Sequence, residues 1–373
     1  MKITAAVVKE KGGSFLLEEM ELDQPQPQEV LVRIVATGIC HTDMVIRNQQ
    51  MPAPLPMVLG HEGAGVVEAV GNEVTEVAVG DHVVLTFGYC GKCSSCREGF
   101  PTYCEHMLEH NFAGSRPDGS HRIHQHSTPD LHDSFFSQSS FATYAIAHEN
   151  NTIKVPKDVP LELLGPLGCG IQTGAGAILN SLNVPSGASI AVFGTGAVGL
   201  SAIMASRVAG ATTIIAVDIN DERLALAKEL GATHTINSKT GNVVEQIQQL
   251  TGTGTHFAFD TTGRPEIIRT AVQGLRTHGV CGLVGVTAPD KKLSFGPNDI
   301  MVAGRTVKGI LQGDSVPSIF IPRLIALYQQ GQFPFDKLVK FYEFDQINQA
   351  AEDSEKGITI KPILRIGKVE AAV

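Results

Sequence analysis

ASIAVFGTGAVGLSAIMASRVAGATTIIAVD, residues 188–218, decides how this chain is read. An apolar run, SIAVF, stops at Gly194; a helix-forming stretch follows Gly199; a second apolar run, TTIIAV, ends on Asp218. Strand, glycine turn, helix and strand in that order predict a βαβ unit of a parallel sheet. Gly194, Thr195, Gly196, Ala197, Val198 and Gly199 spell GxGxxG directly after the first strand. Glycine permits a tight turn and close approach to a pyrophosphate, and the following helix offers unpaired N–H groups and a positive dipole end. Asp218 stands nineteen residues beyond Gly199, where a carboxylate holds a ribose diol and opposes a 2′-phosphate. Together these features predict a Rossmann-type domain that binds NAD in preference to NADP.

Downstream, HFAFDTTG (256–263), PEIIRTAVQGL (265–275), GVCGLVGV (279–286) and TVKGI (306–310) continue the alternation of strand and helix, with RTHG (276–279) reading as a turn. Upstream, EVLVRIVATG, GAGVVEAVG and DHVVLTFG are short strand-like runs separated by glycine, proline and charge, so the first region is mostly β. SIFIPRLIALYQQG (318–331) has helical amphipathicity, and KGITIKPILRIG (356–367) returns to β character. The expected organisation is therefore an α/β protein with a discontinuous first domain, 1–170 completed by 312–373, around a cofactor domain at 171–311. Residues 111–140 follow neither period and carry four irregularly spaced histidines, which predicts an ordered excursion with a surface or packing role for them rather than a third metal site.

A length of 373 residues exceeds what one core usually organises. A formal charge of −9, from 29 Lys plus Arg against 38 Asp plus Glu, argues against nucleic acid or an anionic membrane as partner. No apolar run is long enough to span a bilayer, and MKITAAVVKEKGG does not read as a signal peptide, so a cytoplasmic location is the default expectation.

Seven cysteines are too few and too odd in number for a disulfide scaffold. Cys90, Cys93, Cys96 and Cys104, spaced CxxCxxCx7C, suit one tetrahedral zinc; the last gap is unlike a compact ferredoxin run. Four thiolates leave that metal no open position, so the loop is expected to be structural. Three further stretches, GICHTD (38–43), GHEGAGV (60–66) and LGPLGCGIQTGAGA (164–177), place Cys40, His61 and Cys169 far apart, and spacing alone leaves core cysteines and a capping histidine as equal readings.

In this order and combination, the motifs closely resemble the zinc-dependent medium-chain alcohol dehydrogenases over nearly the whole chain, most nearly the aryl-alcohol (benzyl-alcohol) branch, to which NNTIKVPKDVPLELLGPLGCGIQTG and YQQGQFPFDKLVKFYEFDQINQA are similar. The resemblance implies a GroES-like, mostly β catalytic domain beside the Rossmann domain and two zinc ions per subunit. It puts Cys40, His61 and Cys169 at the catalytic zinc with one position left for an alcohol or aldehyde oxygen. Glu62 falls beside the histidine ligand, Asp43 where it orients the imidazole, and Thr42 where a hydroxyl exchanges a proton with the alcohol. Relatives place a histidine three residues beyond that hydroxyl; here the position is Val45, so His41 becomes the alternative proton acceptor, a contact for the cofactor phosphate, or both. Lys361 matches a basic position that contacts the pyrophosphate. The implied reaction is reversible NAD-linked oxidation of primary aromatic alcohols by a dimer or tetramer. The alternatives are a broader allylic, aliphatic or S-hydroxymethylglutathione dehydrogenase, or a non-catalytic zinc- and dinucleotide-binding protein. Phe87 and Tyr89 are candidates for a pocket wall or for core packing.

Overall fold

The computed structural model describes residues 1–287 and 290–367. It divides into two compact units: Met1–Cys169 with Val316–Ile325 and the chain from Asp336 onward, and Gly170–Ser315 with Ala326–Phe335. The 312–373 segment, expected in one domain, is thus shared; Ala326–Phe335, with its fully buried Phe333 and Phe335, groups with the second unit. Among the described residues no helix is long and apolar enough to cross a membrane.

The second unit holds a six-stranded sheet in the spatial order His234–Asn237, Thr213–Asp218, Ser189–Phe193, Thr255–Asp260, Leu275–Leu283, Thr306–Gly309. All five pairings are parallel. Ser189–Phe193 is buried at every residue, as a central strand covered on both faces must be, and Ala191, Phe193, Ile215, Val217 and Ala258 share one core cluster. The order reverses beside the first strand, and at such a switch point the carboxyl ends of the strands open onto a crevice. The helix Asp221–Leu230 starts where Asn220 accepts the N–H groups of Glu222 and Arg223, and stops at Gly231, whose φ of 128° no side chain adopts comfortably. RTHG is not the turn expected: it lies inside Leu275–Leu283, where the register shifts and His278 takes a φ of 57°. Leu275 pairs with Thr255 and Val280 with Phe257, so residues 276–279 bulge out between two paired positions of the same strand.

In the first unit the ten-residue strand Glu29–Gly38 is the hub. It pairs with Gly63–Val70, Tyr144–His148 and Lys361–Arg365 in one seven-stranded sheet, so the C-terminal strand joins the N-terminal fold directly, Ile363 opposite Gly38. A second sheet runs Met57–Val58, Lys2–Val8, Leu16–Leu22, Ile123–His124.

Residues 111–140 contain little regular structure, and buried charge orders them. Arg116 and Arg122, each 4% exposed, both bond Glu29: Arg116 Nε and Nη2 donate at 2.8 and 3.0 Å, Arg122 Nε at 3.0 Å. The backbone N–H groups of Arg122 and Ile123 donate to the fully buried Asp133 at 2.8 and 3.0 Å. Burial alone would raise the Glu29 pKa, but Arg116 and Arg122 hold it below the usual carboxylate range. Its contribution to stability is therefore present at neutral pH and fades as pH falls through that range. Removing one partner strands two buried guanidinium groups, so Glu29→Ala should lose about 3–5 kcal/mol of stability in denaturant unfolding at pH 7. A loss below about 1 kcal/mol would show the cluster to be dispensable.

Candidate active site

Cys40 precedes the short helix His41–Arg47, His61 and Glu62 precede the strand Gly63–Val70, and Cys169 ends the first segment of the first unit. Folding brings ligand atoms of Cys40, His61, Glu62 and Cys169 within 4.8 Å of one another. His61 and Glu62 are fully buried and Cys169 is 6% exposed. His61 Nε2 is buried without a hydrogen-bond partner, and its near neighbours are the Cys40 and Cys169 sulfurs: one imidazole nitrogen and two thiols gathered this closely fit a zinc ion.

One carboxylate arranges this set. Asp43 Oδ1 lies 2.9 Å from His61 Nδ1 and accepts the Gly60 N–H at 3.2 Å, while Oδ2 accepts the Cys40 N–H at 2.8 Å. Burial would lower the His61 pKa, yet Asp43 and the Cys40 thiolate hold it at about 10; the Nε2 proton is the one a metal displaces. The interaction between Cys40 and Cys169 pulls the first thiol's pKa down and pushes the second's up. Thr42 Oγ1 is 3.8 Å from Cys40 Sγ and partly buried, and His41 is exposed at the helix start.

Lys361 lies against the same group through Glu62. It is 3% exposed, and its Nζ donates to Glu62 Oε1 and Oε2 at 2.9 Å each and to the Ile39 carbonyl at 3.2 Å. All three of these acceptors belong to the first unit. Burial opposes its charge, but Glu62 and Cys40 hold the Lys361 pKa above the ordinary lysine value; burial raises Glu62 despite its partner.

Sequence reading missed the aromatic seat of the histidine. Phe136 stacks on His61 with centroids 4.4 Å apart and planes 21° apart, and Phe135 meets it edge-on at 5.3 Å. Gln138 donates to the His61 carbonyl at 3.1 Å and accepts the Gly63 N–H at 3.2 Å. These residues lie in the excursion whose lack of period hid them; the adjacent Phe135 and Phe136 in SFFSQSS were the available signal. Phe87 is 3% exposed within a core cluster, whereas Tyr89 is half-buried beside Glu149 and Asn150.

The second thiolate group is self-contained. Sγ atoms of Cys90 and Cys96 are 4.0 Å apart, and those of Cys93 and Cys104 3.9 Å, near the roughly 3.8 Å edge of a tetrahedron of Zn–S bonds. Backbone N–H groups of Cys90, Cys93, Glu105 and His106 point at these sulfurs from 3.3–3.5 Å. The Glu105 N–H, with Cys96, holds the Cys93 thiol at about 6. The histidines of the excursion form no metal group among the described residues.

In the cofactor domain Gly194 adopts a φ of 90°, and a Cβ on Gly199 would stand 1.8 Å from the Gly194 carbonyl oxygen. A Cβ on Gly196 would meet nothing within 4 Å, because the N-terminus of the helix Ala197–Val208 faces open space there. Turn, close packing and an unobstructed helix end are what a dinucleotide pyrophosphate requires. Asp218 ends its strand over a cavity of about 390 Å³ lined by Gly194, Ile219, Val243, Arg264 and Ile267. Val198 follows in the first turn of the helix.

The family models agree with this geometry. Residues 26–157 match the alcohol dehydrogenase GroES-like domain and residues 197–330 the zinc-binding dehydrogenase domain. A geraniol dehydrogenase of Castellaniella defragrans is 46% identical over 362 residues, 96% of each chain. Two solved structures superpose over 98% of this chain and 99% of theirs: an alcohol dehydrogenase zinc-binding domain protein from Burkholderia ambifaria (56% identity, TM-score 0.96) and a benzyl alcohol dehydrogenase from Acinetobacter calcoaceticus (54%, TM-score 0.95). The chain belongs to the zinc-dependent medium-chain alcohol dehydrogenases: it is a zinc- and NAD-dependent oxidoreductase acting on an alcohol.

The two metal groups are separable by mutation. Cys104→Ser should lose one zinc equivalent together with thermal stability, whereas Asp43→Asn should weaken retention of the other zinc by about 10–100-fold in chelator dialysis, with the fold intact. Metal analysis and thermal melts of both variants check this; two tightly held zinc ions in Cys104→Ser would overturn the structural assignment.

Proposed function

We propose that this enzyme interconverts primary alcohols and aldehydes whose carbinol carbon adjoins an sp² carbon, allylic as well as benzylic, with NAD⁺ as the oxidant. This joins the expected aromatic class to its allylic alternative, because a geraniol dehydrogenase and a benzyl alcohol dehydrogenase are similar to the chain at 46% and 54% identity. The observation that carries the reading is the buried Cys40–His61–Cys169 set with its uncommitted imidazole nitrogen beside the Phe135 and Phe136 rings. Zinc held there by Cys40, His61 and Cys169 would supply a Lewis acid for the alcohol oxygen, and bound NAD⁺ would supply the hydride acceptor.

The chain's own residues do the rest. Asp43 keeps the His61 ring in one orientation through Nδ1. The two phenylalanines keep water from the histidine and favour an apolar substrate. Thr42 takes the alcohol proton at its hydroxyl oxygen while giving up its own, and with Val45 buried and unable to accept, exposed His41 receives it. Asp218 favours NAD over NADP through its charge at the ribose. Family resemblance favours a dimer or tetramer.

Side-by-side kinetics with benzyl alcohol, geraniol, ethanol and S-hydroxymethylglutathione test the substrate class. Benzyl alcohol and geraniol should agree within about tenfold in kcat/KM and exceed the other two by about 100-fold, the scale of a well-filled apolar pocket; preference for the glutathione adduct would sink the reading. For the proton path, His41→Ala should change the pH profile of alcohol oxidation, and a profile identical to wild type would remove His41 from it.

A further inference from the structure

The residue between the first two glycines of the fingerprint, Thr195, is fully buried and points at Asp218. Its backbone N–H donates to Asp218 Oδ2 at 2.6 Å and its hydroxyl donates to the same oxygen at 2.7 Å. The other oxygen, Oδ1, accepts the N–H groups of Ile219 at 2.7 Å and Asn220 at 3.0 Å. A carboxylate has about four acceptor positions, so this chain fills them all itself. Three of the donors are backbone N–H groups and cannot turn away; the Thr195 hydroxyl is the one rotor among them.

We propose that the Thr195 hydroxyl is a specificity-determining positioning residue for the dinucleotide. It clamps Asp218 against rotation and, when a ribose binds, turns to yield its place on Oδ2 to a ribose hydroxyl. The exchange replaces one O–H donor by another, so an unmodified ribose is accepted without leaving the carboxylate short of a donor. A 2′-phosphate brings negative charge and no donor, and meets a carboxylate that cannot swing aside. Arg264 lines the same cavity and its Nε lies 2.7 Å from Glu266 Oε1, which offsets part of its charge. Asp218 sets the sign of the discrimination, and Thr195 sets its stringency.

This inference rests on the NAD preference proposed above, and fluorescence titration of the full-length enzyme with NADH and NADPH, without alcohol, tests the two separately. In Thr195→Val, which keeps the side-chain shape and loses the hydroxyl, the Kd for NADH should rise about 3–10-fold and the NADPH/NADH ratio of Kd values should fall about tenfold, the scale of one charge-assisted hydrogen bond. Thr195→Ser should restore the wild-type ratio. In an Asp218→Asn background the same Thr195→Val change should leave the ratio within about twofold, because the clamp has lost its target. A wild type that prefers NADH while Thr195→Val keeps its ratio would overturn the role of Thr195 alone. A wild type that binds NADPH as tightly as NADH would overturn the NAD preference and the clamp together. Should Thr195→Val not fold, Thr195→Ala is read by the same criteria.

Discussion

The catalytic end of the molecule depends on one buried carboxylate. Asp43 touches the backbone N–H of one zinc ligand, the backbone N–H immediately before a second, and the ring of that second ligand. It thereby couples a short helix start to the entry of a sheet strand, two elements with no ladder between them. A charge with no solvent exposure is tolerable only if its partners are fixed, and those partners are the groups a metal needs in register. The requirement to satisfy Asp43 and the requirement to preform the site are one constraint.

Around it, the first unit spends buried polar groups in places where an apolar core would serve stability as well. Lys361 and Glu62 form a pair inside the metal cluster, and Glu29, Arg116, Arg122 and Asp133 form a second network that orders the excursion. The excursion ends in a turn where Ser134, Phe136, Ser137 and Ser139 all have φ near 50–65°. Bulky residues avoid that region, so the turn persists because its surroundings hold it, and what it delivers is the Phe135–Phe136 seat for His61. Ordering an irregular segment with buried ion pairs makes its geometry specific at a cost in desolvation.

The two thiolate groups show how coordination number separates structure from chemistry. The four-cysteine loop closes a tetrahedron from residues fourteen positions apart, with N–H groups directed at sulfur, and offers no vacancy. The other group gathers two thiols and one imidazole from three segments, the last more than a hundred residues beyond the other two, with the Glu62 carboxylate beside them. The first can form from local sequence; the second exists only after the first unit has folded.

The sequence alone determined the parallel cofactor domain, because GxGxxG, the apolar runs around it and Asp218 are local signals with one physical reading, and the sheet order follows from right-handed crossovers between such units. It determined the four-cysteine site for the same reason of short spacing. Tertiary structure decided what links distant residues: that Cys40, His61 and Cys169 converge, that Asp43 joins two of them, and that Lys361 is committed to Glu62. It also decided that an aperiodic excursion supplies the aromatic rings against the histidine, and that RTHG continues a strand. Periodicity reports which face of an element is buried and is silent on which elements meet; that pairing is set by long-range burial of charge and aromatic surface, which no local window of sequence contains.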